Sequence, residues 1–282
     1  QQERWLDPLL RGEVRSAFAM TEPEASSSDA RNITSTIRRD GDEYVLNGRK
    51  VWISGVDEAE NVLVVARMKD SATGRLKPVL FVVPTDAPGF EAQAIPMEIV
   101  SPEKQFSVFL DDVRLGADAV VGSEDGGLLQ LFAGLNPERI MAAAYSLGLA
   151  RHALDRAVAY AKDRSVFGVP IGTHQAIQHP LAESYMEIES ARLMNQKAAA
   201  LCDAGEDEKA GEAANIAKYC AAEAACRAVD RAVQTHGGAG ISSEHGIAGL
   251  LVATRAGRIA PVTREMVLNY VAMHSLGLPK SY

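Results

Sequence analysis

The chain has 282 residues, which at about 150 residues per domain predicts two domains. Hydrophobic residues make up 47% and charged residues 23%, which is enough apolar material for a folded core. The formal net charge of −8 argues against a nucleic-acid-binding surface, because such surfaces concentrate positive charge. The longest apolar runs are far shorter than the ~20 residues that span a bilayer, so we expect no membrane association.

The cysteines and histidines predict neither a disulfide framework nor a metal site. Cys202, Cys220 and Cys226 form no C-x-x-C pair, and the six histidines are scattered without the H-E-x-x-H spacing. We therefore expect a reducing compartment, the cytoplasm or, in a eukaryote, the mitochondrial matrix. The chain opens on Gln1, and residues 1–15 read as the end of a helical region or a linker, so we expect a piece of a longer protein.

Residues 16–122 predict a small all-β domain, a barrel or a sandwich. Apolar, β-branched and aromatic runs alternate there with turn signals at short spacing. The first turn signal is Asp40-Gly41. Asn47-Gly48 then separates EYVL from RKVWIS, and this dipeptide predicts a tight hairpin, since both of its residues tolerate positive φ.

Residues 123–282 predict a helical domain, so the fold class is α+β with two successive domains. The segment is rich in alanine and repeats apolar residues at i, i+3, i+4 and i+7, which indicates a bundle of four or five long helices. Asn136 is predicted to cap one helix, with Pro137 in its first position and Glu138 in its first turn. The helix dipole alone would favour an acid there.

Local motifs leave the reaction open. The glycine-rich segment at 236–240 follows a helix, so it predicts a helix end or a close approach of backbone to a ligand. Ser26-Ser27-Ser28 lacks the Gly-x-Ser-x-Gly pattern of a nucleophile and is typical of a turn.

Four longer segments together resemble the acyl-CoA dehydrogenase flavoprotein family in order and spacing. They are AFAMTEPEASSSD at 17–29, YVLNGRKVWISG at 44–55, RSVFGVPIGTHQAIQ at 164–178 and QTHGGAGISSEHGIAGLLVATRAGRI at 234–259. Members of this family have an N-terminal helical domain, a middle β domain and a C-terminal four-helix bundle. The chain resembles the last two, and we expect the first to be missing from it.

The resemblance implies FAD as the cofactor, shared between subunits of a homo-oligomer, a dimer or a dimer of dimers. Within one subunit it assigns the flavin ring and pyrophosphate to Phe18, Met20, Thr21, Ser27, Trp52 and Ser54. It assigns the FAD of a neighbouring subunit to Arg164, Phe167, Gln175, Gln234 and Gly238. Thr263 and Glu265 match positions near the adenine end of FAD more weakly.

The implied reaction is α,β-dehydrogenation of an acyl-CoA thioester, with an electron-transfer flavoprotein as electron acceptor. Many members carry the catalytic glutamate at the position of Pro261, which cannot act as a base. A minority, similar to isovaleryl- and long-chain acyl-CoA dehydrogenases, carry it before an arginine on an earlier helix. Glu138 matches that position, and Arg139 would lie near the substrate entry.

Pro261 also lacks the backbone N–H that helps bind the thioester carbonyl in the family. Either a ribityl hydroxyl of FAD would then mainly polarise that carbonyl, or the N–H of Val262 in a shifted turn would substitute for the missing donor. Two other functions stay open: a non-catalytic FAD-binding subunit of such a complex, and a flavin monooxygenase or oxidase on the same fold. Acyl chain length and branching are not readable from the chain.

Overall fold

Strands occupy the first part of the chain and long helices the second, which confirms the predicted fold class. The computed structural model describes residues 1–25, 32–70, 73–99, 101–124 and 127–280, except for the side chains of Leu128 and Leu129. The chain divides into two units, Gln1–Phe132 and Ala133–Tyr282. The domain boundary placed after residue 122 stays a prediction.

The first unit begins with helical turns at Gln2–Leu6 and α1 (Asp7–Leu10), followed by a seven-stranded sheet. The strands are β1 (Ser16–Ala19), β2 (Thr36–Asp40), β3 (Glu43–Ser54), β4 (Asn61–Lys69), β5 (Leu76–Pro84), β6 (Phe90–Ile95) and β7 (Gln105–Gly116). β1 and β2 both pair in parallel with β4, whose other edge pairs with β5. β3 joins β2 to β7, and β6 forms the far edge. Val62, Val64, Phe81 and Val108 are fully buried in the core of this sheet.

The turn signals of this unit have different outcomes. Gly41 has φ of 65° and closes the β2–β3 hairpin, which confirms the first signal. The hairpin predicted at Asn47-Gly48 is wrong, because β3 runs straight through both residues with a shift of register between Leu46 and Gly48. A Cβ at Gly48 would lie 2.1 Å from Ser35 Oγ, so this glycine serves close packing within the sheet.

Helices build the second unit and the connection into it. They are α2 (Gly127–Asp163), α3 (Gln175–Asp203), α4 (Asp207–His236), α5 (Gly249–Ile259) and α6 (Arg264–Tyr270). Between α2 and α3 lies a two-stranded hairpin of β8 (Ser165–Val166) and β9 (Val169–Pro170), and Val271–Ser275 extends α6 as a wider helical turn.

The core of the second unit is dominated by alanine. Ala214, Ala217 and Ala221 on α4 are fully buried with Ala143 of α2 and Ala198 of α3. Small side chains allow close approach of neighbouring helices, so this composition fits a tightly packed bundle. Within the described residues, no helix combines the length and the apolar character needed to cross a bilayer.

Candidate active site

The residues assigned to the flavin ring cluster in the first unit. Phe18 lies half-buried on β1, Met20 and Thr21 follow this strand directly, and Trp52 and Ser54 lie at the end of β3. The Val51 N–H donates a hydrogen bond to the Thr21 carbonyl at 3.0 Å. The segment after β1, which contains Met20 and Thr21, therefore runs beside the end of β3, which contains Trp52 and Ser54. We call these five residues the flavin wall.

Trp52 is the most unusual member of the flavin wall. Its φ is 61°, a conformation that bulky residues rarely adopt, and the register of β3 shifts between Lys50 and Ile53. The side chain is 54% exposed, although tryptophan normally buries its ring. Backbone strain of this kind is typical of functional positions. An open indole beside exposed backbone suits a flat, partly apolar cofactor, so these residues fit the isoalloxazine of FAD.

A buried ion pair supports the flavin wall from behind. The side chains of Lys50 and Glu22 are fully buried, and Lys50 Nζ lies 2.8 Å from Glu22 Oε1. The same ammonium donates to the carbonyls of Met20 at 3.1 Å and Val65 at 2.6 Å. The pair thus ties the segment after β1 to both β3 and β4. Sequence reasoning missed it, since a lysine inside a strand normally indicates a solvent-facing position.

Hydrogen bonds decide the charge state of Glu22. Burial opposes its ionisation, but donors from Lys50, Ser35 and Thr34 outweigh burial and hold the pKa of the carboxyl well below its usual range. Burial lowers the pKa of Lys50, while its bond to Glu22 favours the ammonium. Glu22 is therefore ionised at neutral pH.

Two serines of this unit, Ser54 and Ser27, are also assigned to FAD. Ser54 Oγ donates to Gln105 Oε1 at 3.2 Å and accepts from Gln105 Nε2 at 2.9 Å, so its position is fixed by β7. Ser27, assigned to the FAD pyrophosphate, lies outside the described residues.

Glu138 lies inside α2, in its fourth turn, and the predicted helix start at Asn136 is wrong. α2 runs without interruption from Gly127 to Asp163 with Pro137 inside it. Proline has no N–H, so one hydrogen bond of the ladder is missing at this point of the helix. Glu138 is therefore not a first-turn acid, and the favourable effect of a helix N-terminus does not account for its presence.

Glu138 is an exposed residue of α2. The residue is accessible to solvent, yet protein atoms crowd its carboxyl, and this burial raises its pKa, against the opposing charge of Arg139. Burial lowers the pKa of Arg139, while Glu138 and Tyr270 favour its charged form. Arg139 Nη1 donates to Asn136 Oδ1 at 3.0 Å. A carboxylate of raised pKa beside a fixed cation is suited to accepting a proton.

Lys218 is a buried residue close to Arg139 that sequence reasoning missed. It is 2% exposed on α4, and its Nζ donates to the Val262 carbonyl, directly after Pro261. Burial and the charge of Arg139 lower its pKa to about 8, against the attraction of Glu265. A signal was present, because Lys218 lies four residues after Ala214 and so falls within the apolar stripe of the helix.

Thr263 and Glu265 begin α6. The Thr263 hydroxyl accepts the Met266 N–H at 3.3 Å and so caps the helix. Glu265 is exposed in the first turn, 3.6 Å from Arg264. Their assignment to FAD stays a prediction.

The residues assigned to a neighbouring subunit's FAD are exposed. Phe167 and Gly168 form the two-residue tip of the β8–β9 hairpin with φ of 54° and 81°, and Phe167 is 94% exposed. Arg164 and Gln175 flank this hairpin and are also exposed. A phenylalanine held in the open at a strained turn is a candidate contact for a second molecule.

Gln234 and Gly238 lie where α4 ends. Gly237 has φ of 58° and ends the helix, as the glycine-rich segment predicted. A Cβ at Gly238 would meet no atom within 4 Å, whereas one at Gly240 would lie 2.5 Å from the Val233 carbonyl oxygen. Gly240 is therefore required by packing, while Gly238 leaves its backbone open to a ligand.

The sequence did not predict an aromatic cluster beside this turn. His236 stacks on Tyr160 with ring centroids 4.3 Å apart, and the His245 ring lies 5.4 Å from His236. His236 is buried, with Nδ1 2.7 Å from the Ala232 carbonyl. Burial lowers the pKa of His236, against that backbone contact. Of six histidines that look scattered in the sequence, two therefore lie together under the glycine-rich turn.

Comparisons with known proteins agree with both halves of the chain. Residues 17–113 match the family described as acyl-CoA dehydrogenase, middle domain, and residues 125–276 match acyl-CoA dehydrogenase, C-terminal domain. The acyl-CoA dehydrogenase FadE12 of Mycobacterium tuberculosis is 58% identical over 282 residues, which cover all of this chain and 72% of that protein.

Solved structures give the same answer. Butyryl-CoA dehydrogenase from Megasphaera elsdenii is 31% identical with a TM-score of 0.90, over 98% of this chain and 71% of that one. A glutaryl-CoA dehydrogenase from Mycobacterium smegmatis in complex with FADH2 is 26% identical with a TM-score of 0.87, over 100% and 70%. The sequence and structure comparisons agree, and the chain belongs to the acyl-CoA dehydrogenase family of FAD-dependent oxidoreductases.

Proposed function

We propose that this protein dehydrogenates acyl-CoA thioesters between their α and β carbons, with Glu138 as the catalytic base. The observation that supports this most strongly is the carboxyl of Glu138, crowded by protein atoms, raised in pKa and adjacent to Arg139. A carboxylate of raised pKa is a stronger base toward a weakly acidic α proton than an ordinary glutamate. Pro261 leaves the alternative position of the family without a base.

The chemical step transfers two hydrogens from the thioester. The α C–H bond breaks and its proton goes to the Glu138 carboxylate, while its electron pair moves toward the thioester and forms the double bond. The β hydrogen leaves with its own electron pair as hydride. Negative charge develops on the thioester oxygen, so a donor is needed there. Among the described residues, the Val262 N–H has no hydrogen-bond partner, which supports it as this donor.

The flavin wall would hold the isoalloxazine, with Trp52 along its apolar edge and backbone groups after β1 on its polar side. FAD supplies the acceptor for the hydride when it is bound. Arg164, Phe167, Gln175, Gln234 and Gly238 would contact the FAD of a neighbouring subunit, and their exposure supports this role. The active assembly would then be a dimer or a dimer of dimers.

Arg139 would keep Glu138 poised beside the substrate. Its charge favours the ionised carboxylate, and its bond to Asn136 fixes the guanidinium on the same helix turn. Burial acts in the opposite direction and raises the pKa of Glu138, which strengthens it as a base. The pair therefore balances base strength against ionisation.

Anaerobic titration with acyl-CoAs of different chain length and branching tests this function. We expect loss of flavin absorbance near 450 nm with at least one of them, and reoxidation by an electron-transfer flavoprotein that is much faster than by oxygen. Fast reoxidation by oxygen would instead support an oxidase or monooxygenase. Bound FAD that no acyl-CoA reduces would support a non-catalytic subunit and contradict the proposal.

A further inference from the structure

Lys218 is a buried cation to which the proposed reaction assigns no role. It is 2% exposed, in a helix face otherwise composed largely of alanine. Burying an ammonium is costly unless its charge and its donors are used. The contact that the structure gives its Nζ is the hydrogen bond to the Val262 carbonyl, so the segment around Val262 is where Lys218 acts.

That segment has one adjustable residue. Pro261 has its φ fixed by its ring, and it has no N–H. Thr263 is fixed as the cap of α6, because its hydroxyl accepts the Met266 N–H. Val262 lies between these two fixed points, and its carbonyl is bound to Lys218. With this bond in place, the orientation of Val262 is fixed by Pro261 before it, by Thr263 after it and by the Lys218 ammonium at its carbonyl.

We propose that Lys218 is a positioning residue, whose ammonium holds the Val262 carbonyl and thereby aims the Val262 N–H at the thioester oxygen, in place of the N–H that Pro261 lacks. This inference rests on the proposed dehydrogenation. The Val262 N–H is free for such a task, since it has no hydrogen-bond partner among the described residues and Val262 is only half-buried.

The charge of Lys218 also acts on Arg139 and Glu265. Lys218 and Arg139 lie close enough for their charges to oppose each other, while Glu265 attracts Lys218. Arg139 is bonded to Asn136 on its own helix. A cation at residue 218 therefore also acts on Arg139, the neighbour of Glu138 in the sequence.

The test uses FAD-loaded protein containing this chain and an acyl-CoA analogue with sulfur at the β position. Such an analogue is not dehydrogenated, but its α proton ionises when the thioester oxygen is polarised, and the bound enolate absorbs at long wavelength beside oxidised flavin. The readout is the pH at which half of the bound analogue is ionised. Lys218→Met removes the donor with little change in length, Lys218→Arg retains it, and Lys209→Met on the exposed start of α4 is the matched control.

We expect Lys218→Met to raise this pH by about one unit, which is a tenfold loss in the ionisation constant of the bound analogue. Removal of a direct hydrogen-bond donor typically costs roughly 100-fold or more in rate, so the effect of a positioning residue should be smaller. Lys218→Arg should bring this pH most of the way back to the parental value, and Lys209→Met should have the same value as the parent. Val262→Pro removes the proposed donor itself and should raise the pH at least as far, which keeps the test valid if Lys218→Met does not fold. A parental value for Lys218→Met or for Val262→Pro overturns the inference.

Failure of the inference differs from failure of the proposed function. If the parent ionises the analogue and acyl-CoA reduces its flavin, while both variants behave like the parent, only the role of Lys218 is wrong. If the parent neither ionises the analogue nor is reduced by any acyl-CoA, the dehydrogenation itself is wrong.

Discussion

Replacing Lys50 by methionine should destabilise the first unit strongly. Lys50→Met leaves the buried Glu22 carboxylate without its counter-charge and removes the donor from the carbonyls of Met20 and Val65. Breaking a buried pair by removing one partner costs about 3–5 kcal/mol. Since both side chains are fully buried, we expect a loss of about 4 kcal/mol in the free energy of unfolding, near the middle of this range.

The chain offers a selective probe and a matched control for this measurement. Its two tryptophans, Trp5 and Trp52, both lie in the first unit, so tryptophan fluorescence during urea unfolding reports on that unit. Lys104→Met removes a surface pair, Lys104 with Asp57 at 2.6 Å, and should cost about 0.5 kcal/mol or less. A cost for Lys50→Met no greater than that of Lys104→Met would refute the reasoning.

Acidification and a double variant sharpen the same test. The pKa of Glu22 is lowered in the folded parent, so its contribution is present above the ordinary pKa of a glutamate and is lost as the pH falls. In Lys50→Met the carboxyl can regain stability by taking up a proton. The gap between parent and variant should therefore narrow toward pH 4, and Lys50→Met with Glu22→Gln should be more stable than Lys50→Met alone.

Three further predictions concern the flavin wall, the glycine-rich turn and the buried lysine. Trp52→Asn should leave the stability of the first unit within about 1 kcal/mol of the parent, because asparagine tolerates positive φ. The same variant should bind FAD roughly tenfold more weakly in a fluorescence titration, and unchanged affinity would contradict the role of Trp52. Gly240→Ala should lower the free energy of unfolding by about 1–3 kcal/mol in thermal unfolding, because its Cβ would meet the Val233 carbonyl. Gly238→Ala should keep the parental stability and release FAD faster, and equal melting temperatures of the two variants would refute this contrast. The pKa of Lys218 falls from 10.5 to about 8 on folding, so the unfolded chain binds more protons between these two pH values. The free energy of unfolding should therefore rise with pH over this range, by about 3 kcal/mol. Unfolding of Lys218→Met followed by circular dichroism should show no such rise, and a rise identical to that of the parent would contradict the prediction.

Periodicity in the sequence predicted the two halves of the fold, because strand and helix spacing depend on local apolar patterns. Local signals failed where packing overrode them. Asn47-Gly48 is a strong hairpin signal, yet the approach of Ser35 explains the glycine and β3 continues. Pro137 is typical of a helix start, but α2 continues through it. A single sequence contains no direct record of such tertiary contacts.

The candidate site was predicted only in part for a similar reason. Resemblance to a family proposed Glu138 as the base and the flavin wall as the cofactor site, and both assignments stay predictions. Lys50 and Lys218 were missed, since a charged residue is normally read as exposed and burial depends on partners far away in sequence. Both lysines hold backbone carbonyls next to proposed site residues, so each supports the site without being part of its motif.

The rate of flavin reduction in Glu138→Gln tests the central claim most directly. Glutamine keeps the size of the side chain but cannot take up the α proton, so we expect the rate in anaerobic rapid mixing to fall by roughly 100- to 10,000-fold with FAD content and acyl-CoA binding retained. Glu206→Gln, on the exposed surface beside Lys209, should react at the parental rate. Burial raises the pKa of Glu138, which destabilises the fold above the ordinary glutamate pKa, so Glu138→Gln should be at least as stable as the parent at pH 7. Reduction of a folded, FAD-loaded Glu138→Gln at the parental rate would contradict the assignment of Glu138 as the base.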